Sequence, residues 1–273
     1  MQILVIDDCS DKDDPESVVR AYGGRVEFFR QPFNAGKAAN YQTGLELSRG
    51  QLIHQLHGDD LVSDDFYQRM QDCFARWSDC GAFFCESIYI DEHGNAVGRT
   101  GREQISSGPL SDFAEVLYCT QRIQTPSMVV RRTVYEALGG FDYRLTACED
   151  WEMWFRAALR FPIGFNAETT ALYRVYQNNT SARSVLEGRR VALYRQAVEI
   201  MDSYAPGDLQ QKLADRRNRC SADYMELCGR LALRHAAFAA WARLALQSLK
   251  YDFSGRRLAR LLLQAARGFH TDG

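Results

Sequence analysis

M1-Q-I-L-V-I-D-D-C-S-D11 runs an unbroken apolar stretch, Ile3 to Ile6, into two adjacent aspartates. A short apolar run closed by turn-forming acids reads as a buried strand, here Gln2–Ile6. The same pattern returns in Q51-L-I-H-Q-L-H-G-D-D60, a strand over Gln51–Leu56 that again stops at acids. Between the two lie a helix over Glu16–Tyr22 broken by Gly23-Gly24, a strand over Val26–Arg30, and a helix over Lys37–Ser48. Strands that alternate with helices imply an α/β fold with a largely parallel sheet. Ligands of such sheets sit at the carboxyl ends of the strands, where both acid pairs lie.

The alternation continues downstream. A helix is expected over Asp64–Trp77 with Asp64 as its N-cap, then a strand over Gly81–Ile90 and a hairpin-type turn at Asp91–Asn95. Helices follow at Ser111–Cys119, at Arg132–Leu138 (stopped by Gly139-Gly140) and at Glu149–Leu159. An extended stretch covers Pro126–Val130, and Phe161–Tyr173 returns as loop and strand. From about Val185 strand signals vanish, and Arg, Ala and Leu dominate a tail of three or four helices.

Bulk properties narrow the class. At 273 residues the chain holds one large domain, or one domain and an appendage. A formal net charge of -2 argues against a general nucleic-acid binder, so no nucleic-acid partner is expected. No apolar run is long enough to span a bilayer. The eight cysteines are scattered without a C-x-x-C pair, as in a reducing cytosol, and the expected location is cytoplasmic.

An acid pair after a first strand also occurs in phospho-accepting receiver domains. Those need a later lysine to neutralise the phosphoryl group, and after Lys37 the next lysine here is Lys212. Five other stretches point elsewhere. They are N34-A-G-K-A-A-N40 followed by Gly44, L52-I-H-Q-L-H-G-D-D60, T125-P-S-M-V-V-R-R-T-V-Y-E-A-L-G-G-F-D142, C148-E-D-W-E-M-W-F-R156 and Y173-R-V-Y-Q-N-N-T-S181. In order and spacing this set resembles the family 2 glycosyltransferases, over about residues 1–182.

The resemblance implies a GT-A, nucleotide-diphospho-sugar transferase-like fold: a mixed sheet flanked by helices, with a C-terminal helical appendage. The catalytic domain would span 1–184 and the helical region 185–273. It further implies an inverting transferase that moves a sugar from a nucleotide-diphosphate donor to a glycan or lipid-linked acceptor, as in surface polysaccharide assembly. The family's first strand and helix, with a Pro-Thr-Tyr-Asn-like turn over the nucleobase, are expected upstream of Met1.

The resemblance also assigns roles. Asp59 is the principal metal-side and diphosphate-side carboxylate, with Asp60 supporting. His57 stands where the family often has a further Asp, and could ligate metal, touch ribose or fill space. Oxygen ligands suit Mg²⁺ or Mn²⁺. Asp8 would meet the nucleobase and ribose, Lys37 the phosphates, and Asn40 the nucleotide. Asp150 would be the general base that takes the acceptor proton, with Glu149 beside it. Arg174 would pair with phosphate or with the Glu-Asp helix.

Two other readings stay open, a sugar-nucleotide nucleotidyltransferase and an inactive transferase kept as a scaffold. From Cys228 onward basic residues alternate with Leu, Ala and Trp at helical spacing. Such helices suit either peripheral contact with an anionic membrane or packing on protein, including another subunit.

Overall fold

The computed structural model describes residues 1–176 and 180–268. The motif stretch Tyr173–Ser181 runs partly through 177–179, outside the described residues. The chain divides into two compact units, Met1–Phe113 with Ile123–Arg174, and Ala114–Arg122 with Val175–Gly273.

The first unit starts with a parallel ribbon, β1 (Leu4–Asp7) beside β2 (Glu27–Arg30), linked by α1 (Pro15–Arg20). Asp14 caps α1 by accepting from the Ser17 amide. Asp7 is buried, accepts from the Ser10 amide and hydroxyl and pairs with Arg30, which makes it a structural acid. Helix α2 (Lys37–Leu47) packs on this ribbon, with Gly44 facing Ile6, where an added Cβ would make an ordinary contact at 3.7 Å.

A seven-stranded sheet forms the body, with β3 (Leu52–His54), β8 (Met128–Arg131), β5 (Ala82–Ile90), β9 (Ile163–Arg174) and β4 (Leu61–Val62) in that order. The strand β6 (Ala96–Arg99) pairs with β5 and β7 (Gly108–Pro109) with β9. Of these pairings only β5–β9 is parallel. The sheet is therefore mixed and mostly antiparallel, against the largely parallel sheet implied by alternation. The local pattern places strands but carries no direction, and here direction is set by long-range partners of β5.

Helix α3 (Phe66–Arg76) covers one sheet face. Phe66, Met70, Cys73 and Phe74 recur at helical spacing and pack on Phe83, Cys85, Val129 and Ala171. Its N-cap position is Asp65 rather than Asp64, and Asp65 bonds Ser63 and Arg69 instead of the helix amides. The 3-10 turn Thr125–Ser127 leads into β8, α5 (Arg132–Leu138) follows, and α6 (Glu149–Ala158) buries Trp151 and Trp154 in the core.

Packing is tight where β9 crosses β5. A Cβ on Gly164 would lie 2.1 Å from the ring of Phe83, which is fully buried between Phe74 and Trp77. Gly164→Ala is expected to cost about 3 kcal/mol, because that ring has nowhere to move. Urea unfolding measures it, and an unchanged midpoint would contradict the packing.

The second unit is helical: α4 (Phe113–Cys119, from Ala114 onward), α7 (Thr180–Leu186), α8 (Arg190–Tyr204), α9 (Gly207–Arg234), α10 (Phe238–Tyr251) and α11 (Gly255–Gly268). The tail beyond Val185 has four full helices among the described residues, α8 to α11, in line with the three or four expected. Pro206, Ala236 and Gly255 mark breaks inside what reads as one biased composition. Arg217 is buried here, its guanidinium 3.7 Å above the Tyr118 ring and 3.1 Å from Asp202. No helix of the described residues is long and apolar enough to cross a membrane.

Candidate active site

The carboxyl end of β3 leads into the turn His57–Asp60, and β4 then returns to pair with the end of β9. That pairing brings Arg174 to the turn. Its amide donates to Asp60 at 2.8 Å, and its guanidinium donates to the carbonyls of Asp59 and Asp91. Arg174 thus fastens the acid turn to the β5–β6 hairpin turn, and does not pair with Glu149 or Asp150. Asp60 is buried by this arrangement, whereas the side chain of Asp59 is exposed.

His57, Asp59 and Asp60 each offer a ligand atom within 4.8 Å of the others. The Nδ1 of His57 lies 3.3 Å from Asp60, and its Nε2 lies 2.5 Å from the hydroxyl of Tyr41. The second oxygen of Asp60 is buried without a hydrogen-bond partner. A buried anionic oxygen beside an exposed carboxylate and an imidazole fits a divalent cation.

Helix α2 supplies the opposite wall. Gly36, with φ +85°, makes the turn into it, and both oxygens of Asp8 hold that turn by accepting from the Ala35 and Gly36 amides at 2.8 and 3.0 Å. Asn40 donates to the Ile6 carbonyl while its own carbonyl oxygen is buried without a partner. Lys37 reaches across to Glu149 at 2.6 Å. Burial pulls the Lys37 pKa down, but Glu149 and then Asp150 more than offset this, so the ammonium is held charged.

Glu149 and Asp150 open α6, where the helix dipole favours carboxylates. Cys148 before them adopts the left-handed conformation, φ 64°, which a non-glycine residue takes only when its surroundings enforce it. Glu149 is buried and committed to Lys37. Asp150 is less enclosed, accepting from the Trp151 amide at 2.8 Å and from Thr125 Oγ1 at 3.3 Å.

Two tyrosines join the acid groups. The Tyr41 pKa is raised, first by burial and then by Glu149, Asp150, Tyr173 and Asp60. The Tyr173 pKa is raised in the same way, by burial and then by Asp60, Asp150 and Asp59. Both phenols therefore lie within electrostatic range of Asp60 and Asp150, and helix α2 touches both acid groups directly, with Tyr41 on His57 and Lys37 on Glu149. Sequence reasoning passed over Tyr41, although Lys37, Asn40 and Tyr41 share the i, i+3, i+4 spacing of one helix face.

His54 stands apart. Its Nε2–H donates to the Pro126 carbonyl and its Nδ1 accepts from Tyr67. Burial pulls its pKa down to about 4, so it is a neutral, satisfied core group, as its position inside a strand suggests.

Residues 1–139 match the family described as Glycosyl transferase family 2. The chain belongs to this family. Glu149 and Asp150 lie just beyond the matched residues. Two curated relatives are described as uncharacterized glycosyltransferases. One, of Rickettsia typhi, is 21% identical over 183 residues, covering 66% of this chain and 57% of the relative. The other, of Methanocaldococcus jannaschii, is 23% identical over 157 residues, covering 56% and 52%. The chain thus spans about half the length of the curated relatives it matches.

Among solved structures, the mannosyltransferase PcManGT from Pyrobaculum calidifontis, in complex with GDP-Man and Mn²⁺, aligns at TM-score 0.58 and 18% identity, over 99% of this chain and 72% of that one. S. aureus TarS 1–349 in complex with UDP aligns at TM-score 0.55 and 14% identity, over 94% and 82%. At such identities the likeness is one of fold. This family 2 member has the GT-A fold, a mixed α/β sheet with C-terminal helices.

Proposed function

We propose that the protein transfers a sugar from a nucleoside-diphosphate donor to a hydroxyl of a glycan or lipid-linked acceptor, with inversion at the anomeric carbon. The observation that carries this reading is that helix α2 touches both acid groups, Tyr41 through His57 beside Asp60 and Lys37 through Glu149 beside Asp150. One acid pair suits the leaving diphosphate and the other the incoming hydroxyl, which is the division of labour that displacement from the far side needs.

In this reading residues 1–184 form the catalytic domain and 185–273 its helical region. Asp59, with Asp60 and His57, holds Mn²⁺ or Mg²⁺, which supplies positive charge to the departing diphosphate. For His57 to serve as a ligand it must yield one of its contacts, with Tyr41 or with Asp60. Asp8, through the turn it holds, and Asn40 lie on the nucleoside side, and Lys37 lies within reach of the phosphates. Asp150 removes the acceptor proton. Glu149, tied to Lys37, is a positioning residue that fixes the start of α6. Arg174 acts on the donor through the turn it fastens. The acceptor chemistry fits surface polysaccharide assembly on the cytoplasmic side of a membrane.

A thermal-melt panel of UDP, GDP, dTDP and CMP, each with and without Mn²⁺, tests the donor site. One diphosphate with metal, at about a hundred times its Kd, is expected to raise the melting temperature by roughly 5–10 °C. A cooperative melt that no nucleotide shifts would overturn the reading.

A further inference from the structure

The outer surface of the helical unit carries features that the donor site does not use. In α11, G255-R-R-L-A-R-L-L-L-Q-A-A-R-G268, the buried positions are Arg257 and Leu261, one helical turn apart. Arg257 is locked by Asp223 at 3.0 Å, by Asp252 at 2.8 Å and by Glu226. That lock fixes the rotation of α11 and turns Leu262 and Leu263 outward, where they keep 62% and 58% of their surface exposed. Ala259 and Ala266 share that face, and Arg256 borders it.

The preceding helix repeats the arrangement. Leu246 is 62% exposed on α10 between Arg243 and Lys250, and Phe253, just before α11, is 73% exposed. Exposed leucines on an amphipathic helix are costly in water unless something covers them.

Charge selects what covers them. Gly229–Gly268 holds eight Arg and Lys residues and a single acid, Asp252; Arg257 and Arg260 are taken up by Asp252 and by Asp223 and Glu226 of α9, and the others leave a basic surface. Arg256 and Lys250 have no ion pair among the described residues. A second copy laid face to face would set this positive charge against itself. A bilayer of anionic lipid accepts both parts: leucine and phenylalanine enter the acyl boundary, and arginine and lysine meet the phosphates. We propose that the outward faces of α10 and α11, with Phe253, dock on an anionic membrane surface. The contact lies in the headgroup plane and spans nothing. It would hold the transferase where a lipid-linked acceptor resides, yet it stands independently of the donor site.

The test is flotation of the full chain with phosphatidylcholine vesicles that contain or lack phosphatidylglycerol. Wild type is expected to float with the anionic vesicles at low salt and to be released at high salt. Leu262→Glu with Leu263→Glu, and separately Lys250→Glu with Arg256→Glu, are each expected to weaken binding about tenfold or more. These side chains are exposed, so the melting temperature and any nucleotide-dependent melting shift should stay at the wild-type values. Three results would each overturn the proposal: no flotation with anionic vesicles, equal flotation with neutral ones, or a wild-type dimer in solution that the leucine pair dissolves to monomer. Absence of a nucleotide shift alongside salt-sensitive flotation would count against the donor site and leave the docking surface standing.

Discussion

Asp150→Asn is expected to lower the rate of sugar transfer by about 10²–10⁴-fold, the range set by loss of a positioned general base. The donor for the measurement is the nucleotide sugar whose diphosphate the melting panel selects, and single-turnover transfer isolates the chemical step. The substitution is conservative in space. An asparagine oxygen still accepts from the Trp151 amide, and its nitrogen donates to Thr125 Oγ1, so the contacts at 2.8 and 3.3 Å survive. The loss of negative charge at the start of α6 costs at most about 1 kcal/mol. Donor affinity should therefore stay near wild type while turnover collapses. A variant that transfers at the wild-type rate would remove Asp150 from the chemistry. Glu149→Gln would give a different signature. Glu149 is buried against Lys37, so its loss is expected to appear in stability as well as in rate.

Asp59→Ala is expected to abolish the metal-dependent part of donor binding, leaving a melting shift below about 2 °C where wild type shows roughly 5–10 °C. The apo protein should melt as before. The structure uses the backbone carbonyl of Asp59, which accepts from Arg174, and leaves the side chain exposed, so alanine keeps what the fold requires. Asp60 differs. Its carboxylate is buried and accepts the Arg174 amide, so Asp60→Ala should lower both the apo melting temperature and the metal response. If Asp59→Ala retains the full shift, the cation site lies elsewhere.

The contrast between these neighbours marks what the sequence can tell. The motif H57-G-D-D60 announced a site, and the apolar run before it announced a strand. Which aspartate is committed to the fold depends on β4, a two-residue strand whose only signal is its pairing with Leu172 and Ala171, more than a hundred residues on. Long-range pairing likewise decided that the sheet is mixed. Glu149 and Asp150 were legible as a pair, but their separate duties were not, because Lys37 meets Glu149 across the fold. Tyr41 looked like an ordinary helix aromatic. The face it shares with Lys37 and Asn40 was readable, and only the contact with His57 gave that face a meaning. In the tail, composition declared helices, but Gly255 and the left-handed Ala236 set their number.

The ribbon of β1 and β2 has a consequence for how the molecule comes apart. Four residue pairs in a parallel ladder are marginal by themselves, and this ladder shares no hydrogen bond with the seven-stranded sheet among the described residues. It persists because α2 lies on it and because Asp8 ties its end to the start of that helix. Leu4–Asp7, Glu27–Arg30 and α2 thus make one cooperative unit that can open while the larger sheet stays closed. Amide hydrogen exchange in this unit should run ahead of exchange in β5 and β8. Because Asp59 and Asp150 sit on the slower part while Lys37, Asn40 and Tyr41 sit on the faster one, the two walls of the site have different lifetimes. A donor that bridges both walls should therefore slow exchange in the ribbon and α2 as it raises the melting temperature.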